Sequence, residues 1–299
     1  MMKAQHIDVL LAIEAAGSIR GASKLLSKTQ PAVTKSLRSA ENDLGVRVFN
    51  RAPSGVVVTA EGFPVLRRAK IIRAELQRMQ EEIAQNRGEG TGNLSVIVSP
   101  LAAHRIISPA IERFKRRFPQ VNFQISSGQE PFAFGPVRDG TVDMVIGPSP
   151  NLSETFGLDV RHLFEAPITV ITGGHSKWKG VGDLEELAKG DWVMIGTRAR
   201  LPFLQDRFVE KGLAPPTPSV TADSISSVLS IIEDSNYLCT YPQLLVEVSR
   251  EKWGIVDLEV SDQLKPADIA MATSSEKPPT PALKHFCDCV VQVAEDEFS

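Results

Sequence analysis

Cysteine is scarce: three in 299 residues, an odd number and too few for a disulfide scaffold, which points to a reducing compartment rather than secretion. Long apolar runs are missing too. The N-terminal stretch offers only Val9 to Ile13 between Asp8 and Glu14, and no long uninterrupted apolar run occurs anywhere. Neither a signal peptide nor a membrane span is expected, and the protein reads as cytoplasmic. A Walker loop, a G-x-G-x-x-G fingerprint, an H-E-x-x-H pair and a Cys–His nucleophile pair are also absent, so nothing supports catalysis or a cofactor. The cluster His285-Phe286-Cys287-Asp288-Cys289 is no metal site, because residues two apart on a helix point about 200° apart. What remains is an ordinary globular composition, with 42% hydrophobic and 23% charged residues, over a length that suits two domains.

The net charge of −3 hides an asymmetry. Residues 1–92 hold 14 Lys and Arg against 9 Asp and Glu, a net of +5, whereas residues 93–299 hold 19 against 27, a net of −8. A small basic head on an acidic body suggests a polyanion partner for the head; a merely solvated basic surface is the alternative.

Within the head, Ile7, Leu10, Leu11 and Ala15 recur at helical spacing and predict a helix from about Lys3 to Ala16, ended by Gly17. Ser18 can cap a short second helix with Ala22, Leu25 and Leu26 inward. Thr29 and Pro31 then open a third, since a hydroxyl can accept an orphan N–H and proline needs no donor in the first turn. Val33, Leu37, Ala40 and Leu44 line its inner side, and Gln30, Thr34, Lys35 and Arg38 share the opposite face. Amide, hydroxyl and cationic groups on such a helix suit base edges and phosphates of the DNA major groove. Val46 to Asn50 and Val56 to Thr59 flank the turn Pro53-Ser54-Gly55, a wing with Arg47 and Arg51 on or beside it. A three-helix packing unit without DNA is the competing reading.

From Phe63 to Asn86, Val65, Ala69, Ile72, Leu76, Met79 and Ile83 step by fours and threes amid charged positions, a heptad seam that predicts a homodimer. A single amphipathic helix lying on its own domain is the alternative. A dimer joined this way reads two half-sites about 34–36 Å apart or a multiple of that.

After Gly92, strand-like runs at 94–98, 121–126, 142–147, 168–172, 191–195 and 237–241 alternate with helical stretches at 103–118, 200–212, 224–234 and 279–297. The pattern is α/β with largely parallel sheets, whose ligands sit beyond the strands' carboxyl ends. Those ends are Ser99-Pro100, Ser127-Gly128, Gly147-Pro148 and Gly196-Thr197-Arg198, and Ser224 opens a further helix. Exposed N–H groups there suit a small anion, with Arg198 as a neutralising cation; simple capping by the hydroxyls is the alternative.

The stretch from Ser18 to Gly62 resembles the N-terminal signature of LysR-type transcriptional regulators. The likeness rests on Ala22, Leu25, Gln30-Pro31-Ala32-Val33-Thr34, Arg38, Glu41, Leu44-Gly45, Phe49, Arg51, Thr59 and Gly62, in the family's order and spacing. It extends into VRDGTVDMVIG at 137–147, which is similar to the family's body motif. The chain departs from the pattern at Ile19-Arg20, Ala40 and Ser54. The resemblance implies an α plus α/β fold: an N-terminal winged helix-turn-helix at 1–62, a long dimerising linker helix and hinge at 63–92, and a two-lobed α/β effector domain at 93–299. That domain is like a type II periplasmic binding protein, with lobes 93–161 plus 268–299 and 162–267. It further implies DNA contacts by Gln30, Pro31, Thr34 and Lys35, an effector cleft lined by Ser99, Pro100, Ser127, Gly147, Thr197 and Ser224, and usually a homotetramer. Promoter DNA, a small and often anionic effector, and RNA polymerase are the expected partners. An exported solute-binding protein or an enzyme on the same fold are the alternatives.

Overall fold

The computed structural model describes residues 2–52, 55–128, 134–196, 204–222, 224–262 and 264–298, with the backbone alone at Arg51. The chain forms two compact units, Met1–Arg87 and Gly88–Ser299.

The first unit opens with α1 (Ala4–Ala16), which Gly17 ends in the left-handed region at φ 62°. Ser18 then caps α2 (Ile19–Leu25), its hydroxyl accepting the Gly21 N–H at 3.0 Å. Thr29 caps α3 (Gln30–Leu44) in the same way, and Gly45 ends it at φ 71°. Strands β1 (Phe49–Ala52) and β2 (Gly55–Val58) pair antiparallel as the wing. The wing docks on the α1–α2 turn through the Val56 N–H to the Gly17 carbonyl at 3.0 Å. A side chain on Gly55 would collide with that carbonyl, and at φ 132° only glycine is at ease. Helix α4 (Gly62–Asn86) follows.

Val9, Leu10, Ile13, Ala22, Val33, Leu37, Ala40, Val48, Phe49 and Leu66 form the core of this unit. Two positions read as inward are not: Ala15 is exposed, and Leu25 is 64% exposed. Because α1 packs against α2, α3 and α4, its buried arc is wide and takes in Val9 and Ile13, which a single-face pattern passes over.

The second unit runs through β3 (Thr91–Val98), α5 (Pro100–Ala102), a π-helical turn at Ala103–Ile107 and α6 (Ser108–Lys115). β4 (Gln120–Ser127), α7 (Phe134–Asp139), β5 (Met144–Pro148) and β6 (Leu158–Ala166) complete this passage. After Pro167 the chain enters a second lobe. Its elements are β7 (Ile168–Gly173), α8 (Leu184–Leu187), β8 (Val193–Ile195), α9 (Gln205–Glu210) and β9 (Val220–Ala222). α10 (Ile225–Glu233), β10 (Cys239–Pro242), α11 (Val246–Trp253) and β11 (Ile255–Leu258) follow. β12 (Ala267–Ser274) and α12 (Pro281–Phe298) return to the first lobe.

The first lobe is one sheet of order β4-β3-β5-β12-β6. β3 runs parallel to β4 and β5, but β12 is antiparallel to both β5 and β6. In the second lobe β10 and β11 flank β7 antiparallel, whereas β8 and β9 pair parallel and Trp192 makes a parallel bridge to Leu238. The expectation of largely parallel sheets is therefore corrected: strands that carry the chain between lobes need no helical crossover and fold back against their neighbours. The crossing points shift accordingly. Residues 162–166 belong to β6 and so to the first lobe, as does Ala267, while Thr91 and Gly92 already lie in β3.

Candidate DNA interface and effector cleft

On α3, Gln30, Pro31, Lys35 and Arg38 are exposed and Thr34 is half-buried. They border one shallow hollow of about 820 Å³ together with Ser39, Asn42 and Asp43. A second hollow, about 1180 Å³, lies between α3 and the wing and is bordered by Thr34, Arg38, Asn42, Arg47 and Asn50. Ser39, Asn42 and Asn50 were not singled out from the sequence, although Ser39 and Asn42 follow Lys35 at helical i+4 and i+7. The Thr34 hydroxyl donates to the Gln30 carbonyl at 2.9 Å, so toward an outside partner it offers its lone pairs. Arg51 pairs with Val56 in the wing ladder, and its side chain lies outside the described atoms.

The α4 seam divides in two. Ile72, Met79 and Ile83 are 45%, 53% and 46% exposed and Leu76 is half-buried, so this stretch carries an open apolar stripe. Ala69, by contrast, is 1% exposed, and Val65 packs on the head's own core. These two, expected in the dimer seam, instead belong to their own unit. The first turns of α4 lie on α1, where Lys70 pairs with Glu14 at 2.9 Å and Arg73 with Asp8 at 3.5 Å.

Between the lobes of the second unit lies a cavity of about 460 Å³. The structure brings Ser99, Pro100, Ser127 and Ser224 together in its lining. Ser99, buried at the end of β3, accepts the Ala102 N–H at 3.3 Å, which leaves its hydroxyl proton free to donate. Ser224 makes no such bond to its own helix, so capping does not occupy its hydroxyl. Gly147 lies beneath the site and not in its lining: a Cβ there would stand 3.1 Å from the Ser99 Cβ, so glycine lets Ser99 settle against β5. Thr197 and Arg198 lie outside the described residues.

The lining also holds His104, Tyr241, Ser249, Lys252 and Trp253, none of which the sequence reading singled out. His104 stands on the π-helical turn, whose widened spacing breaks the 3.6-residue pattern used to assign faces. The last three lie on or border α11, a short helix whose clearest signal is the left-handed Gly254 at its end. The Tyr241 hydroxyl and Ser249 Oγ are hydrogen-bonded at 2.8 Å, and burial pushes the phenol above the ordinary tyrosine range. A smaller apolar cavity of about 70 Å³ shares Ser99, Pro100, Ile195 and Ile225 and reaches the crossing strands at Ala166, Ile168, Ala267 and Ile269.

Among the described residues no group of His, Cys, Asp and Glu is placed to hold a metal ion, and no helix is long and apolar enough to cross a membrane.

Two family models match the chain in tandem: "Bacterial regulatory helix-turn-helix protein, lysR family" over residues 4–63 and "LysR substrate binding domain" over residues 87–295. The HTH-type transcriptional regulator TdcA of Escherichia coli (strain K12) is 27% identical over 241 residues, covering 80% of this chain and 77% of that protein. The regulator GbpR of Rhizobium radiobacter is 24% identical over 247 residues, 81% of this chain and 82% of its own. Among solved structures, full-length CbnR complexed with its target DNA superposes with a TM-score of 0.71 at 19% identity, over 98% of this chain and 100% of that one. A full-length OxyR variant from Pseudomonas aeruginosa gives a TM-score of 0.66 at 18% identity, over 97% and 95%. These two likenesses are of fold.

Proposed function

The chain belongs to the LysR family of bacterial regulatory helix-turn-helix proteins, a DNA-binding transcriptional regulator with an effector-binding domain, and from that premise we propose how its residues divide the work. Its relatives are transcriptional regulators, which disfavours an enzyme or an exported solute-binding protein.

In this reading α3 enters the major groove of promoter DNA. Gln30 and Lys35 address base edges, Thr34 and Pro31 fix the approach of the helix start, and Arg38 with the wing residues Arg47 and Arg51 holds phosphates. The observation that carries it is the shared polar and cationic surface of Gln30, Thr34, Lys35 and Arg38 on a helix capped at both ends and buttressed by a wing. The open stripe Ile72, Leu76, Met79 and Ile83 pairs two copies, and dimers join into a tetramer on DNA in the cytoplasm, where RNA polymerase is the further partner. In the second unit a small anionic effector sits in the interlobe cleft against Ser99, Pro100, Ser127 and Ser224, with Thr197 and Arg198 as further contacts, and biases one quaternary state over another.

A gel shift on the DNA upstream of the chain's own gene, repeated over a salt series, tests the DNA reading. Saturable retardation that outlasts competitor DNA supports it, and retardation that any DNA removes equally counts against it.

A further inference from the structure

The charge of the cleft lining is one-sided. The second lobe brings the Lys252 ammonium, the first lobe adds the imidazole of His104 as a further polar group, and none of the described lining residues is acidic. Both side chains are exposed, at the mouth, whereas Ser99 and Leu245 are buried in the floor. The Lys252 ammonium rests over the Trp253 ring, 5.2 Å from its centroid, and no carboxylate among the described residues pairs with it. Its neighbour in sequence, Arg250, is by contrast occupied by Asp257 at 2.6 Å.

The α11 side of the wall has a direction. Leu245, Val248, Ser249 and Lys252 line the cleft at helical spacing, about 10 Å along the axis at 1.5 Å per residue. The stripe is apolar at one end and cationic at the other. The same lining carries the hydroxyls of Ser99 and Ser127 at the ends of β3 and β4 and of Ser224 and Ser226 at the start of α10, all neutral donors. A ligand with one acidic group reaches one set and leaves the other to water.

We propose that the cleft selects a small dianion, two acidic groups on a short carbon skeleton, with one acid on the serine hydroxyls and the other at the mouth between His104 and Lys252. Lys252 is then the specificity-determining residue. His104 and Lys252 stand on opposite lobes, so the second acid also draws the lobes together. Charge-assisted bonds are the stronger kind, and closure takes them out of water. The inference rests on the cleft being the effector site.

The test uses the full chain and matched acids: butyrate against succinate, valerate against glutarate, and glycerate against 3-phosphoglycerate, read by calorimetry and by the shift in Tm. At least one diacid or the phosphate ester is expected to bind about tenfold or more tighter than its monoanionic match. The first two pairs and the third separate a dicarboxylate from a phosphorylated acid. Lys252→Gln should bring that ratio to about one, and Lys252→Arg should restore it, which a merely structural role at the end of α11 does not predict. Monoanions binding as well as dianions, with a response lost in Ser99→Ala, overturns the inference and leaves the cleft reading standing. No response to any member overturns the inference, and a response indifferent to both Ser99→Ala and Lys252→Gln overturns both.

Discussion

The carboxylate of Glu41 accepts the backbone N–H of Val48 at 2.9 Å, tying the last turns of α3 to the approach of the wing. The same oxygen takes the Phe49 N–H at 3.3 Å, and both residues are buried. In Glu41→Ala these N–H groups lose a charged acceptor, a change worth about 1.5–3 kcal/mol. Chemical denaturation should show a loss of that size, with faster hydrogen exchange at Val48 and Phe49. Glu41→Gln keeps a carbonyl acceptor and should lose roughly half as much. Unaltered exchange at both amides in Glu41→Ala would show that the wing is held elsewhere.

Base readout and phosphate anchoring should separate. Gln30→Ala removes an amide that can pair with a base, so it should relax sequence preference by about 1–3 kcal/mol at one position of the operator. Arg47→Ala, at the hollow between α3 and the wing, should weaken binding to all sequences and lower the salt slope by about one. Fluorescence anisotropy on matched and mismatched operators over a salt series distinguishes the two, and identical profiles would refute the division of labour.

Met79→Glu combined with Ile83→Glu places charges in the open stripe of α4. Two like charges facing each other across a helix pair lose hydration and repel, so the double variant should sediment as a smaller species and bind DNA more weakly. Ala69→Glu should behave differently, because that position is covered by the chain itself. It should lower Tm before it changes association. A double variant that sediments like the wild type would place the dimer contact elsewhere.

Much of the head was legible because its signals are local. The Thr29 cap, Pro31 at the helix start, the stop of α1 at Gly17 and the polar face of α3 all need only neighbours in sequence. The cleft was half legible for the same reason: strand ends announce Ser99 and Ser127, but not that Ser99 caps its helix while Ser224 does not. β6, β9, β11 and β12 were missed: β9 and β11 have only 3 and 4 residues, and the alanines of β12 carry little strand signal. β6 is an edge strand that leaves Arg161, His162 and Glu165 exposed, so its alternation reads as a polar loop. Within the 137–147 motif, the carboxylate of Asp143, just before β5, accepts both the N–H and the hydroxyl of Ser95 at 2.8 Å and so joins the start of β5 to β3, a pairing no local pattern announces.

Gly147→Ala tests whether the position of Ser99 matters. The added methyl stands 3.1 Å from the Ser99 Cβ, tighter than ordinary contact, while the Ser99 N–H is already fixed on the Ile146 carbonyl at 2.8 Å. Something has to shift by a few tenths of an ångström. The expected cost is about 1 kcal/mol of stability, with a larger proportional loss in the Tm response to an anionic ligand. A full ligand response at reduced stability would mean that the cleft tolerates movement of Ser99.

The three cysteines should be inert in the folded protein. Burial pushes the thiols of Cys239 and Cys287 up to about 12, and Cys289 is also raised by burial. Only the thiolate is nucleophilic, so at about pH 8 a thiol titrating near 12 is about one part in ten thousand reactive. Alkylation by iodoacetamide should therefore be slow in the native chain and quick in guanidinium, where all three return to about 8.5. The sign of the pH dependence follows. Native labelling of Cys239 and Cys287 should climb about tenfold per pH unit without levelling up to about pH 10, whereas an ordinary exposed thiol levels off above about 9. By the same reasoning, peroxide at concentrations that oxidise free cysteine should leave DNA binding unaltered. A native labelling curve with its midpoint near 8.5, or DNA binding lost on peroxide and regained with dithiothreitol, would show that one of these thiols is accessible and reactive.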